Sequence, residues 1–566
     1  MSKKLAVVIS GAVSLGSYEA GVMYEVLEAI AVHNKDLSEH DDNHIEIDVI
    51  TGASAGAMTA CILAQNLLYD DNTLSKPYEN SLYKAWVQKV DIVELLDVDK
   101  ADQKKSLLNA NVVEKIAKEL IKDLEPNDPK NKDIFKLQKH PAASSEIQIG
   151  VAMSNLNGFN YGIKSLQGES FDYTRFKDQF VCSVRRKETS DKAILQEKMY
   201  QEKAWEDFRP TTWAELRDAG ISSGAFPFAF PMKSISRVGE GKFSQRDSKN
   251  KNNENPDPIN EGRYFYTDGG TFENEPLGMA KALINHDQEN PEDRYYLLVK
   301  PGQRKASKDP FFNQKPNLLT TAIALFGAIF QQAQFQDWIM DDVNSKLLTI
   351  TSNDDELIGD VFSAFSGFLE EKFRAYDYNI GRENARKQLT IAHEKNLLNF
   401  DPNALDKMPP IEWKVDKKKS VIRGGRTLTT WVQVKPELSK LAKQIKDDTG
   451  KRNQLDELHR LMHEVDPATR QKICDQLKER LESLVDFINE EYLSKRDIAN
   501  PIAIDKAINN VKAWFGGASD DQFNIQMTAR QVIGQPATKK LLTGVLGFWL
   551  DANILKPPHI AKKNLV

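Results

Sequence analysis

Gly52-Ala53-Ser54-Ala55-Gly56 constrains this chain more than any other stretch. It follows the β-branched run His44-Ile45-Glu46-Ile47-Asp48-Val49-Ile50 and precedes the apolar stretch from Ala57 to Ala64. A strand, a G-x-S-x-G turn and a helix make a nucleophile elbow. Small residues on both sides let the backbone reverse sharply and leave the serine hydroxyl open to a substrate. The helix that follows aims its N-terminal amides at the same spot, where they favour a developing negative charge. With 30 glycines in 566 residues, about 0.1 chance copies of the pentapeptide are expected, so its flanks carry the reading. The flanks are right. Ser54 is the candidate nucleophile, with Gly52 and Gly56 forming the elbow.

The chain opens on a similar unit. The apolar strand Leu5-Ala6-Val7-Val8-Ile9 leads into the loop Ser10-Gly11-Ala12-Val13-Ser14-Leu15-Gly16, then a helical pattern through Tyr18, Val22, Leu27 and Ile30. Small residues at such a turn expose backbone N–H groups that can hold an anion. A dinucleotide fingerprint needs glycine where Val13 stands, and a P-loop needs Lys-Ser or Lys-Thr after Gly16, where Ser17-Tyr18 stand. Two readings remain: a tight turn in an ordinary α/β unit, or an oxyanion loop serving Ser54. In the second, the amides near Gly11, Ala12 and Val13, with Gly16 closing the loop, act together with that of Ala55.

A third segment, Tyr264-Phe265-Tyr266-Thr267-Asp268-Gly269-Gly270, precedes Asn274-Glu275-Pro276. An aromatic strand ends in an aspartate, and Gly269 and Gly270 release the chain. Carboxylates at strand ends of open α/β sheets commonly face the ligand crevice. Asp-Gly is also a common turn, and the other two motifs tip the balance toward function.

These three segments, in this order, resemble a patatin-like phospholipase. That family has a glycine-rich oxyanion loop near its N-terminus, then G-x-S-x-G, then D-G-[GA] further on. Three more segments resemble it: Val151 to Gly158, Ala219 to Pro227 with Phe230-Pro231, and Phe373 to Arg382. The last is similar to a signature of larger bacterial members with a C-terminal extension. The resemblance covers about residues 5 to 390, loosely over 70 to 140 and near 240 to 262. It departs at the loop, where Leu15 holds the usual basic position and Ala12 and Val13 hold glycine positions. Helix N-termini after Gly16 and Gly56 would then supply the positive potential.

The resemblance implies a three-layer α/β/α core with a mostly parallel sheet. It also implies a serine-dependent lipid acyl hydrolase, cleaving carboxylic esters of phospholipids or related lipids through an acyl-enzyme and without a cofactor. A Ser-His-Asp triad needs a histidine in a loop after the acid. His286, His393, His459, His463 and His559 follow Asp268, and none sits after a convincing strand. A Ser54–Asp268 dyad is the better reading. The aromatic segment holding Phe226, Phe228 and Phe230, shortly before Asp268, is the candidate acyl pocket. The rival function is a catalytically weak relative that binds a partner through its C-terminal helices; intact Ser54 and Asp268 favour catalysis.

Composition sets the remaining bounds. Hydrophobic content of 40%, charged content of 28% and a mean hydropathy of −0.51 read as a soluble protein. The longest strongly apolar run, Leu318–Phe330, falls well short of the roughly 20 residues that span a bilayer. A net charge of −6 argues against a nucleic-acid partner, and no cysteine spacing suggests a metal site. Cys61, Cys182 and Cys474 are scattered and odd in number, which suits a reducing, cytoplasmic setting, with peripheral contact at a membrane to reach lipid. Ser2-Lys3-Lys4 and the apolar residues after it are read as the first strand rather than a secretory signal.

Residues 1–390 are expected to form the acyl hydrolase domain, with strands near 5–10, 45–50, 147–153, 264–267 and 294–299. Residues 70–140 read as a helical cap or insertion, and 239–262 as a mobile loop. Residues 391–566 read as mostly helical, with Ile473, Leu477, Leu481, Leu484 and Ile488 on one face and Asp466-Pro467 as the cap. The His459–His463 pair reads as helix surface, and Arg374, Asp377 and Arg382 as a structural ion-pair network. Leu318–Phe330 and Leu541–Leu550 read as buried helix rather than membrane contacts.

Overall fold

The computed structural model describes residues 2–99, 105–125, 128–164, 170–186, 192–201, 204–227, 229–238, 261–284, 293–302, 346–353, 356–360, 365–395, 397–398, 400–413, 438–439, 441–442, 461 and 464–488. Phe228, residues 239–260, Leu318–Phe330, His459, His463, Trp514-Phe515 and Leu541–Leu550 lie outside them.

The strands are β1 (Lys3–Ile9), β2 (Ile45–Gly52), β3 (Ala143–Lys164), β4 (Ser170–Arg186), β5 (Ala193–Gln201), β6 (Ala204–Pro210), β7 (Lys233–Val238), β8 (Glu261–Thr267), β9 (Arg294–Lys300) and β10 (Leu347–Thr351). The main helices are α1 (Gly16–Asn34), α2 (Ala55–Leu68), α3 (Ala110–Leu120), α4 (Trp213–Ser223), α5 (Glu371–Glu394) and α6 (Pro467–Ile488). The parallel part of the sheet runs β10-β9-β1-β2-β3. Its middle strand, β1, is buried on both faces from Leu5 to Ile9, which is why that run reads as continuously apolar instead of alternating. Helices flank the sheet, giving the α/β/α architecture.

Register brings three loops to one edge. Ile9 lies opposite Gly52, and Gly52 opposite Val151. The turns after β1 and β2 therefore emerge side by side, as parallel strands joined by right-handed crossovers require. On its far side β3 continues into an antiparallel arm, β4-β5-β6, which the sequence reading did not find. The acid strand, β8, is antiparallel as well. It pairs with β7 and meets β3 at Thr267↔Ser154 and Asn155↔Tyr266, so its C-terminal end points back to the edge where β2 ends. Glu261 and Gly262, read from sequence as loop, are drawn into β8 by pairing with Val238 and Arg237.

α5 lies along α1 and carries the ion pair expected of Arg382. Arg382 donates to Glu25 Oε2 at 2.7 Å, with both side chains fully buried. Arg374 donates to the carbonyls of Val87, Gly367 and Phe368. Asp377 instead accepts the N–H groups of Ile358 and Gly359. α5 continues through residue 390 to Glu394, and the chain after it returns to the core. Asp401 N–H donates to His33 Nδ1 at 3.1 Å, and Phe400 stacks on the same ring. Further on, α6 starts where Asp466 accepts the N–H of Thr469 at 3.0 Å, and its Gln476 donates to Val93 O.

Breaking a buried pair from one side leaves an uncompensated charge. Glu25→Ala should therefore cost about 3–5 kcal/mol in urea unfolding, and adding Arg382→Met should recover much of that loss. A single variant as stable as the wild type would show that the pair does not hold α1 and α5 together.

Candidate active site

The elbow is built as a strained turn. Ser54 has φ +52° and ψ −123°, a region that non-glycine residues occupy only when their surroundings enforce it. Three contacts enforce it. Ala53 N–H donates to Ile9 O at 3.2 Å, Ser54 N–H donates to Ser223 Oγ at 2.9 Å, and Met58 N–H closes the first helical turn on Ser54 O at 3.2 Å. Gly56 must lack a side chain, because a Cβ there would stand 2.3 Å from Ile9 O.

Ser54 Oγ donates to Asp268 Oδ2 at 2.5 Å. Asp268 is fixed on every side: its N–H donates to Ala225 O at 2.9 Å, its carbonyl accepts from Ser154 Oγ at 2.7 Å, and Oδ1 accepts the N–H of Gly270 at 2.7 Å. Burial pushes its pKa up to about 7, opposed by the hydrogen bonds from Ser54 and Gly270. Desolvation disfavours the carboxylate, so the group becomes a stronger base than a surface aspartate. Among the described residues, no histidine hydrogen-bonds Ser54 or Asp268. His140 is buried and held down to about 4 by desolvation, and it bonds the N–H of Ala142.

The loop after β1 lies against the nucleophile. A Cβ on Gly11 would stand 3.1 Å from Ser54 Cβ and 2.2 Å from Asn274 Oδ1. Its amides divide into two sets. Gly11 N–H is taken by Asn274 O at 3.1 Å, and Gly16 N–H by Ser14 O and Val13 O. These two glycines therefore shape the loop instead of donating to a ligand, which corrects the sequence reading for Gly11. The N–H groups of Ala12, Val13 and Ala55 take none of these partners among the described residues. Val13 sits at φ +51°, so a β-branched residue holds the left-handed turn that glycine would take freely. Leu15 is buried against Gly359, whose Cβ would come within 2.7 Å of it; the loop presents no cation from that position.

An apolar cavity opens beside Ser54. Val13, Ser54 and Ala55 line it together with Phe226, Phe230, Phe368, Met58, Trp86, Val113 and Ile116. Two of the three phenylalanines singled out in the sequence therefore reach the cavity. The face of α3 was missed, although Val112, Val113, Ile116 and Leu120 repeat at helical spacing on an otherwise polar segment. Ser223 and Ser154 were missed too. As small buried serines, they carry no pattern that marks them. Among the described residues there is no cluster of His, Cys, Asp and Glu able to hold a metal ion, and no helix long and apolar enough to cross a membrane.

Residues 7–281 match the family model described as patatin-like phospholipase. The chain is also similar to an uncharacterized protein, y4iI, of Sinorhizobium fredii (strain NBRC 101917 / NGR234), at 23% identity over 492 residues, covering 71% of this chain and 67% of that protein. Among solved structures it is similar to the crystal structure of VipD from Legionella pneumophila, at 13% identity and a TM-score of 0.24, over 93% of this chain and 94% of that one. So loose a superposition adds nothing to the site.

The raised pKa of Asp268 has a sign that stability can check. Its folded value lies above the ordinary 3.8, so between those two values the folded state holds the extra proton. The stability this group contributes is present below the unfolded value and is lost as pH rises toward about 7. Asp268→Asn removes that loss. Its gain in unfolding free energy over wild type should grow by on the order of 3 kcal/mol between about pH 5 and pH 8. A gap that is flat or shrinks with pH would show that Asp268 is an ordinary carboxylate.

Proposed function

We propose that this protein is a lipid acyl hydrolase that works through a Ser54–Asp268 dyad. The observation that carries the proposal is the hydrogen bond from Ser54 Oγ to a buried carboxylate at 2.5 Å, at an elbow beside an apolar cavity. Asp268 Oδ2 takes the proton as Ser54 Oγ bonds to the ester carbonyl carbon. The N–H groups of Ala12, Val13 and Ala55 receive the oxyanion; each such donor is worth about 10²–10³ in turnover. Collapse breaks the bond to the alcohol, which leaves with the proton from Asp268. Water then attacks the acyl-serine, loses its proton to Asp268, and the acid departs as Ser54 regains its hydrogen.

The cavity supports an acyl group as the part of substrate that is bound. Each buried methylene contributes about 0.8 kcal/mol, and Met58, Trp86, Val113, Ile116, Phe226, Phe230 and Phe368 offer it nothing to hydrogen-bond except the Trp86 N–H. That group is already given to Thr59 Oγ1 at 2.9 Å. A phospholipid or related ester would place its headgroup outside, with the chain meeting a membrane surface peripherally.

The test is hydrolysis of dispersed phospholipid and of a soluble ester, followed by mass spectrometry of the released acid. Ser54→Ala should lose more than about a thousandfold in turnover, as removal of a nucleophile does. Asp268→Asn should fall by a comparable factor, because an amide cannot take the serine proton. Either variant keeping substantial turnover while remaining folded would remove that residue from the mechanism.

A further inference from the structure

The cavity beside Ser54 is lined by residues well along α2 from the nucleophile and by Ile121. One side is α2, which contributes Ala55, Met58, Cys61 and Ile62, and the facing side is α4, which contributes Gly220 and Arg217. Gly220 lets the two helices pack directly against each other: a Cβ there would lie 2.9 Å from Cys61 Sγ. Ile121 and Lys122 bridge the two helices. Lys122 N–H donates to Gln65 Oε1 at 2.8 Å, and Lys122 O accepts from Gln65 Nε2 at 2.9 Å, one turn beyond Cys61 on α2. From the α4 side, Arg217 Nη1 donates to Ile121 O at 2.9 Å and to Asp123 Oδ1 at 2.7 Å. The crossing segment is thus pinned to both helices, and Ile121, itself buried, lines the cavity.

We infer that the segment Ile121–Lys122 is a chain-length stop, which makes medium-length acyl esters the preferred substrates. The inference rests on the reading of Ser54 as nucleophile. From Ser54 to Ile62 the helix advances about 12 Å, at about 1.5 Å per residue. An extended chain covers roughly 1.2 Å per bond, a third of a residue's reach, so about eight to ten carbons span the distance. Longer chains meet a wall that carries three hydrogen bonds to Gln65 and Arg217 and does not yield without breaking them.

The experiment uses the full chain and p-nitrophenyl esters from four to sixteen carbons. In the wild type, kcat/KM should rise roughly three- to fourfold per methylene, up to about eight to ten carbons, and then level or fall. Ile121→Ala keeps the backbone bonds and shortens the stop. It should raise the ratio of kcat/KM for fourteen over ten carbons by about fivefold or more. Ile121→Phe enlarges the stop and should lower the ratio for ten over four carbons by about tenfold or more. If that variant fails to fold, the Ile121→Ala ratio decides. A wild-type profile that climbs through sixteen carbons, or ratios that stay put in the folded variants, overturns the stop while leaving hydrolysis standing. No hydrolysis of any ester, together with no labelling by a fluorophosphonate, overturns the reading of Ser54 itself.

Discussion

Ser54 and Asp268 are 214 residues apart in sequence and share a hydrogen bond in a site closed to solvent. Much of the surrounding structure serves that contact. A buried carboxylate is expensive, and Asp268 is tolerated because its backbone and one carboxylate oxygen are tied to Ala225, Ser154 and Gly270. The other oxygen is left for the serine. The strained backbone of Ser54 is likewise held, not relaxed, and one of its restraints, Ser223 Oγ, comes from the end of α4. Two residues on, Ala225 O accepts the N–H of Asp268. One short segment therefore positions both members of the dyad, so their separation is set by a single rigid turn.

The parallel core and the residues of the Ser54–Asp268 hydrogen bond were legible because each is encoded locally. β1 and β2 are apolar runs, each released by a glycine-containing turn, and their order fixes the sheet edge where the turns meet. Asp268 was legible by company: an Asp-Gly pair means little until an elbow and a loop stand upstream of it. What stayed hidden is encoded by pairing across long distances. β4, β5 and β6 show no apolar alternation strong enough to separate them from loop, and they become strands because β3 offers an edge. The direction of β8 could not be read either, since a strand's sequence does not say whether its neighbour runs with it or against it.

The loop after β1 shows a similar limit at finer scale. The sequence marks Gly11 as special but not why; the structure gives its N–H to Asn274 O and reserves its missing side chain for the approach of Ser54. Val13 keeps the left-handed turn that a glycine would make easily, at a cost in strain. The cap follows different rules. α3 has no fully buried residue, yet its apolar stripe lines the cavity, and the segment after it is fastened by Gln65 and Arg217. The dyad would set the chemistry, and this fastening would set which chains reach it.

The central claim is that a buried aspartate activates Ser54, and the pH dependence of phosphonylation tests it most directly. A fluorophosphonate should label the wild-type chain at Ser54 alone, located by peptide mass spectrometry. The second-order rate should rise about tenfold per pH unit below the Asp268 midpoint and level above about pH 7, where the carboxylate is free to take the proton. Labelling of Ser54 at a rate independent of pH across this range, undiminished in Asp268→Asn, would contradict the account.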